Sequence, residues 1–360
     1  MADAMIVEVL QKVVGRQDLS RDEAYMVMEF LMTGRASDAE IAAFLTAMRM
    51  KGETVEELCG FVQVMRGKVT AVHTRYSGGR AAPRPGDRML VDTCGTGGDA
   101  KGTFNISTAA AFVVSGAGIP VAKHGNRSVS GLCGSADVIE ALGISLDLPA
   151  ERVGRCIDEV GIGFLFAPLL HQAMKHVMAA RRRIRIRTLF NILGPLTNPA
   201  GASAQVIGVS EAGLTDILAD VLRELGCYRA FVVHGKEGLD EISTVGETKI
   251  SEVVEGRIRT FYVQPEDFGI PRGTLLDLQG GDATTNAEAI RKILQGARGP
   301  KRDIVLVNAA AAIAAGGGAQ NIQGGIAAAE HSIDSGAAWT KLEKVVAFYH
   351  QEGGTVHIQP

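Results

Sequence analysis

The sequence predicts an α/β protein: a large domain whose mostly parallel central sheet is flanked by helices, plus a small all-helical domain. Three observations carry this. The first seventy residues hold only helix signals. From Arg88 onward, short apolar β-rich runs alternate with helical segments, as in a parallel sheet. At 360 residues the chain is long enough for two such units with a sizeable core.

In the helical part, Ser20 with Glu23, Ser37 with Glu40 and Thr54 with Glu57 each match the capping-box spacing. Each is followed by apolar residues at helical spacing: Tyr25, Met28, Phe30 and Leu31; Ile41, Phe44 and Leu45; Leu58, Phe61, Val62 and Met65. These read as core. The Ser-, Gly-, Pro- and Arg-rich stretch 75–87 reads as a linker. Candidate strands follow at 89–93, 119–122, 204–209, 229–234 and 303–307, and residues 248–263 read as a hairpin turning at Glu255-Gly256. Residues 168–190 read as helix returning to the helical domain. The expected division is a small domain over 1–74, joined by helices within about 168–192, and a large domain over 88–167 and 193–360.

Composition narrows the function. Hydrophobic residues make up 46% and charged ones 21%, and the net charge is −3, which speaks against a general nucleic-acid binder. The five cysteines form no C-x-x-C pair, so neither a disulfide framework nor a zinc site is expected. No basic region followed by an apolar stretch opens the chain, and no run of about 18 apolar residues occurs, so a cytoplasmic protein without a membrane span is expected.

The chemistry concentrates between Asp92 and Gly134, where nine of 43 residues are glycine against 44 of 360 overall. Two strand–loop–helix units lie here. One runs through Gly95-Thr96-Gly97-Gly98-Asp99 to a helix opening at Asn105-Ile106-Ser107-Thr108. The other runs through Lys123-His124-Gly125-Asn126-Arg127-Ser128 to a helix opening near Ser135. Free N–H groups and positive dipole ends at both helix starts suit a ligand with phosphates at both ends. The first loop fails the dinucleotide fingerprint, since position 100 is Ala, and the Walker A pattern, since no Lys follows Gly102. Asp240-Glu241, on a loop after the strand at 229–234, is an apt Mg²⁺ pair facing phosphate. The five arginines from Arg181 to Arg187 read as a nucleic-acid patch, a solvated face or a carboxylate clamp.

These segments, with Gly194-Pro195-Leu196-Thr197-Asn198-Pro199, occur in an order that resembles the anthranilate phosphoribosyltransferase family over nearly the whole chain. The resemblance implies a Mg²⁺-dependent homodimer. It would transfer the 5-phosphoribosyl group of PRPP to the amine of anthranilate in tryptophan biosynthesis, releasing diphosphate by dissociative displacement at ribose C1. By position, it implies that PRPP is bound by Gly95, Gly98, Asp99, Thr103, Asn105, Ile106, Ser107 and Thr108, and by Lys123, His124, Gly125, Asn126, Arg127, Ser128, Val129, Ser130, Gly131 and Ser135. Gly95, Asn126 and Arg181 would position anthranilate, and Ser107, Asp240 and Glu241 would hold a pair of Mg²⁺ ions per monomer. His124 is either a proton acceptor or a loop-stabilising group. The chain departs from the family at Leu132-Cys133, at Gln172 where proline is usual, and at Arg185 where glycine is usual. The rival readings are a pyrimidine nucleoside phosphorylase, which leaves the Asp-Glu pair unexplained, and a nucleic-acid-binding relative without catalysis. No membrane or nucleic-acid partner is expected.

Overall fold

Each of the first helices begins where a side chain can satisfy its open N–H groups. The computed structural model describes residues 2–77, 87–128 and 132–352, and its chain starts with α1 (Ala2–Val14), α2 (Arg21–Met32), α3 (Asp38–Lys51) and α4 (Val55–Lys68). Ser20, Ser37 and Thr54 cap α2, α3 and α4, and in each case the Glu at N3 returns a bond to the cap, as the spacing predicts. Glu57 does more than close its box. Fully buried, it accepts from the Leu19 N–H and the Lys51 ammonium as well.

The rest of the chain alternates. It runs β1 (Val91–Gly95), α5 (Ile106–Gly116), β2 (Val121–Gly125), α6 (Ser135–Ala141), α7 (Ala150–Val160), β3 (Ile162–Phe166), α8 (Ala167–Leu170), α9 (Lys175–Ile184) and α10 (Leu189–Leu196). Next come β4 (Ala204–Gly208), α11 (Leu214–Glu224), β5 (Arg229–Gly235), β6 (Thr248–Val254) and β7 (Arg257–Val263). The C-terminal part is α12 (Ala283–Leu294), α13 (Pro300–Ala315), α14 (Ile322–Asp334) and α15 (Ala337–Gln351).

Among the described residues the strands form one sheet in the order β3-β2-β1-β4-β5-β6-β7. The first five are parallel and the β6–β7 hairpin is antiparallel, turning at Glu255-Gly256 as expected. The chain winds outward from β1 through β2 to β3, then restarts on the other side of β1 at β4. The loops leaving β1 and β4 therefore diverge at a topological switch point, where sheets of this kind open a crevice. Alternate residues of β4 and β5 serve two cores. Val206, Phe231 and Val233 join α5 and α13 on one face, and Ile207, Ala230 and Val232 join α11 and the N-terminal helices on the other.

Two expectations need correction. Residues 303–307 are not a strand but lie inside α13, which opens with Pro300. A helix buried on nearly every side shows no polar stripe, so its Ile304-Val305-Leu306-Val307 run cannot be told from a buried strand by periodicity. Conversely β3 carried no expected strand. Its five residues include Gly163, where a Cβ would sit 2.7 Å from the Ile157 side chain, and that glycine masks the β signal. The helical reading of 168–190 corresponds to α8, α9 and the start of α10, with α9 packed on α2 and α3. Most of the 75–87 linker, residues 78–86, falls outside the described residues. No described helix is long and apolar enough to cross a membrane.

The departure at Arg185 has a backbone meaning. Arg185 ends α9 in the left-handed conformation, at φ +52°, where glycine carries no Cβ penalty. Arg185→Gly should therefore stabilise the protein by about 1 kcal/mol in urea unfolding. Equal or lower stability would mean that the Arg185 side chain offsets its own strain.

Candidate functional site

Two of the sheet's central strands end in glycine, and the loop after β5 comes back over them. Gly95 and Gly208 are register partners at the ends of β1 and β4. A Cβ on Gly208 would collide with the Asp240 backbone, and one on Gly95 would lie 2.7 Å from Asp240 Oδ2. Asp240 accepts a hydrogen bond from the Gly97 N–H at 3.1 Å. Its neighbour Glu241 faces the Ser107 N–H at the start of α5. Each carboxylate thus reaches one end of the first glycine loop.

That loop turns through left-handed residues at Gly97, Gly98, Ala100 and Gly102. Asp99, at its tip, accepts from the Lys101 N–H, while its Oδ2 is buried with no hydrogen-bond partner. Burial, then repulsion from Asp99, pushes the Asp240 carboxyl up to about 6. Burial, then repulsion from Asp240, pushes Glu241 well above the ordinary carboxylate range, opposed by Lys123. Two carboxyls raised by burial and by neighbouring acids, beside a third carboxylate with an unpartnered buried oxygen, suit a divalent cation. Among the described residues no group of three or more His, Cys, Asp or Glu is arranged to hold a metal by itself. Mg²⁺ held by few carboxylates and completed by substrate phosphate oxygens matches that donor set.

The structure sends the two cations of the second loop in different directions. Lys123, 2% exposed, donates to the Thr93 carbonyl at 2.5 Å and to Ser107 Oγ at 3.2 Å, so it stands between the two loops. Arg127 turns outward, pairs with Asp137 and Glu140 of α6 and lies over the Phe166 ring. The opening of α6 is also internally engaged: Asp137 accepts from the Gly134 and Ser128 N–H groups. Asn126 is exposed, its carbonyl accepting from Ser135 Oγ and the Ala136 N–H. A Cβ on Gly125 would collide with that same Ser135 hydroxyl. Val129, Ser130 and Gly131 lie outside the described residues.

At α5, Asn105 occupies the N-cap position but its side chain makes no capping bond. The open donors are fewer than a bare helix start would offer. The Ile106 N–H bonds Phe104 O, and the Thr108 N–H bonds Asn105 O. Thr108 Oγ1 is buried without a partner. Thr103 makes an isolated bridge to Gln279, laying the 279–281 segment against the loop.

His124 is buried and shares a 3.1 Å contact with His171 through their Nε2 atoms. Burial holds both rings neutral, with His124 down to about 3 and His171 to about 4. Arg181 stands apart from the carboxylates. It is half-buried, lies 5.1 Å from the Phe190 ring centroid, and touches Met178 Sδ. Burial alone lowers it to about 10, so a guanidinium without a carboxylate partner among the described residues is held there. The arginine run is not one patch: Arg183 pairs with Asp38, and Arg187 donates to the Gly97 carbonyl at 2.6 Å.

Sequence reading missed four contributors. Arg187 braces the first loop, and a Cβ on Gly98 would strike its guanidinium. Fully buried Asp92 accepts from the His124 N–H and from Asn198, joining β1, β2 and the 194–199 turn. The segment Gln279-Gly280-Gly281 backs residues 102–104, and Asn286 bonds Asn105. Paired glycines before a helix, and an Asn inside one, were the available signals.

The chain is similar to known proteins over nearly its whole length. Residues 87–339 match a glycosyl transferase family a/b domain, and residues 7–69 match the helical bundle domain of that family. The anthranilate phosphoribosyltransferase of Moorella thermoacetica is 54% identical over 344 residues, 96% of this chain and 98% of that one. That of Pelotomaculum thermopropionicum is 55% identical, covering 96% of each. The Thermus thermophilus anthranilate phosphoribosyltransferase crystal structure superposes with a TM-score of 0.86 at 40% identity, over 95% of this chain and 99% of the other. The Saccharomyces cerevisiae enzyme in complex with PRPP and Mg gives 0.85 at 27%, over 97% and 98%. With a shared fold, both domain types and about half of all residues in common over nearly its full length, this chain belongs to the anthranilate phosphoribosyltransferase family.

Proposed function

We propose that this protein transfers the 5-phosphoribosyl group of PRPP to the amine of anthranilate with release of diphosphate, the phosphoribosylation step of tryptophan biosynthesis. The observation that carries the proposal is the set of three mutually repelling carboxylates, Asp99, Asp240 and Glu241, beside a glycine loop and a buried lysine.

In this reading the bond from ribose C1 to diphosphate breaks and its electron pair leaves with the diphosphate. The amine lone pair then forms the C1–N bond, and the nitrogen sheds a proton. Mg²⁺, held by Asp240, Glu241 and Ser107 as a pair of ions per monomer, would neutralise charge on the leaving diphosphate. Lys123 contributes a positive charge between the loops. Gly95, Gly98, Asp99 and Thr103 shape the sugar and phosphate cradle, and Asn105, Ile106, Ser107 and Thr108 line the start of α5. Gly125, Ser128 and Ser135 would frame the second loop, with Arg127 as its brace to α6. Arg181, with Gly95 and Asn126, would hold the acceptor, its unpaired guanidinium taking the carboxylate. An aromatic amine is neutral at pH 7, so positioning outweighs base catalysis. His124 resists protonation down to about 3, which favours its loop-stabilising role over that of proton acceptor.

We also take residues 1–74 with the helices within about 168–192 as a small domain, and 88–167 with 193–360 as the large one. The packing of α9 on α2 and α3 supports this. The assembly we propose is a cytoplasmic homodimer. The apolar groove between α1 and α3, with Val14 and Met50 exposed beside it, supports the dimer. A monomeric mass by light scattering would remove it.

PRPP, anthranilate and Mg²⁺ together should yield phosphoribosyl-anthranilate, and chelation of Mg²⁺ should stop turnover. Asp240→Asn should lower kcat/KM for PRPP on the order of 100-fold. No product from folded protein would refute the assignment. In the same assay Arg181→Ala should raise the KM for anthranilate about tenfold and leave that for PRPP unchanged; equal rises would remove the clamp.

The buried histidine pair sets a pH dependence. Both folded values lie below the unfolded one of about 6.5, so unfolding takes up protons and stability falls as pH drops from about 6.5 towards 4. His171→Gln should flatten this slope by about half in thermal unfolding between pH 7 and 4.5. An unchanged slope would show that other groups govern it.

A further inference from the structure

Asn105 sits at the N-cap of the phosphate-facing helix, yet its side chain is turned away from the helix it heads. Its Oδ1 accepts from Asn286 Nδ2 at 3.0 Å and from Cys133 Sγ at 3.4 Å, and its Nδ2 donates to the Cys133 carbonyl at 3.4 Å. Asn286 is 2% exposed and lies on α12, far along the chain from either loop. Its second function is equally specific: Asn286 Oδ1 accepts from the Gly281 N–H at 2.8 Å. Gly280 in turn donates its N–H to Gly102 O at 2.8 Å, and a Cβ on Gly280 would press on the Phe104 backbone. One side chain thus fastens the 279–281 segment that backs the first loop, the head of α5, and through Asn105 the second loop at Cys133.

The first-turn N–H groups of α5 are engaged without the Asn105 side chain: Ile106 bonds Phe104 O, Thr108 bonds Asn105 O, and Glu241 faces the Ser107 N–H. What the Asn105 amide supplies is a tether, because it is held on Asn286 and on Cys133 and so ties the head of α5 to the second loop at a fixed spacing. We propose that Asn286 is a positioning residue for PRPP: it acts through Asn105, holding the head of α5 and the second loop at Cys133 in register with the first loop. The proposal rests on the reading of α5 as a phosphate site.

The buried amide is neutral and its neighbours are backbone groups, the Asn105 amide and the Cys133 thiol, so its contribution is geometric. Asn286→Leu keeps the branched shape, at a larger volume, and removes both hydrogen bonds. It should raise the KM for PRPP about five- to tenfold, leaving the KM for anthranilate and the kcat at saturating PRPP within about twofold of the parent. Asn286→Ala, assayed with a thermal unfolding profile, serves if the leucine variant folds poorly. The decisive measurement is a double-mutant cycle. If Asn286 acts through Asn105, then Asn105→Ala with Asn286→Leu should have the same PRPP KM as Asn105→Ala alone. Multiplicative effects would overturn the proposal, as would a normal PRPP KM in both Asn286 variants while Asn105→Ala is impaired. If Asn105→Ala itself leaves the PRPP KM unchanged, the phosphate reading of α5 fails, and the inference fails with it.

Discussion

A side chain at Gly208 would overlap the Asp240 backbone, and one at Gly95 would press on the Asp240 carboxylate. The loop after β5 can fold down over the sheet only because both partners in that register are glycine. Much follows from this close approach. It puts Asp240 on the Gly97 N–H and Glu241 on the Ser107 N–H, so a loop from the far side of the switch point closes the crevice that the strand order opens. Lys123, reaching from β2 to Thr93 and Ser107, supplies the opposing charge from the other side.

The electrostatics of the crevice work against stability. Carboxylates raised by burial and by one another are poorly solvated, and a lysine lowered by burial is only partly compensated by Asp92 and Glu241. Elsewhere the protein treats buried charge differently. Glu57 is satisfied by two backbone N–H groups and Lys51, and Arg229 by Glu252 and backbone carbonyls. The charges of Glu57 and Arg229 are matched within the chain, whereas among the described residues Asp99 Oδ2 has no hydrogen-bond partner and the Arg181 guanidinium no carboxylate.

Local signals were legible wherever one short segment contains both partners of an interaction. The three capping boxes, the β6–β7 hairpin, and the helix starts at α5 and α6 all fall where the sequence predicts them. The errors came where burial erases periodicity, as in α13, or where a glycine demanded by packing weakens a strand, as in β3. Arg127 and Lys123 share a basic cluster and look equivalent on paper. One is held by two acids of the next helix and the other is buried between loops, because Lys123 lies inside β2 whereas Arg127 lies two residues past its end, where the chain has turned towards α6.

Residue types, spacing and order determined by themselves the fold class, the two glycine loops, the acidic pair and the family. Those properties reside in segments of a few residues whose backbone geometry or chemistry is intrinsic. Only the tertiary structure decided which donors remain open, which cation faces which loop, and that Asn286, Arg187 and Asp92 brace the site. Such partners lie up to 181 residues apart. Their pairing follows from how helices and strands pack around the switch point, a property of the whole core that no single segment carries.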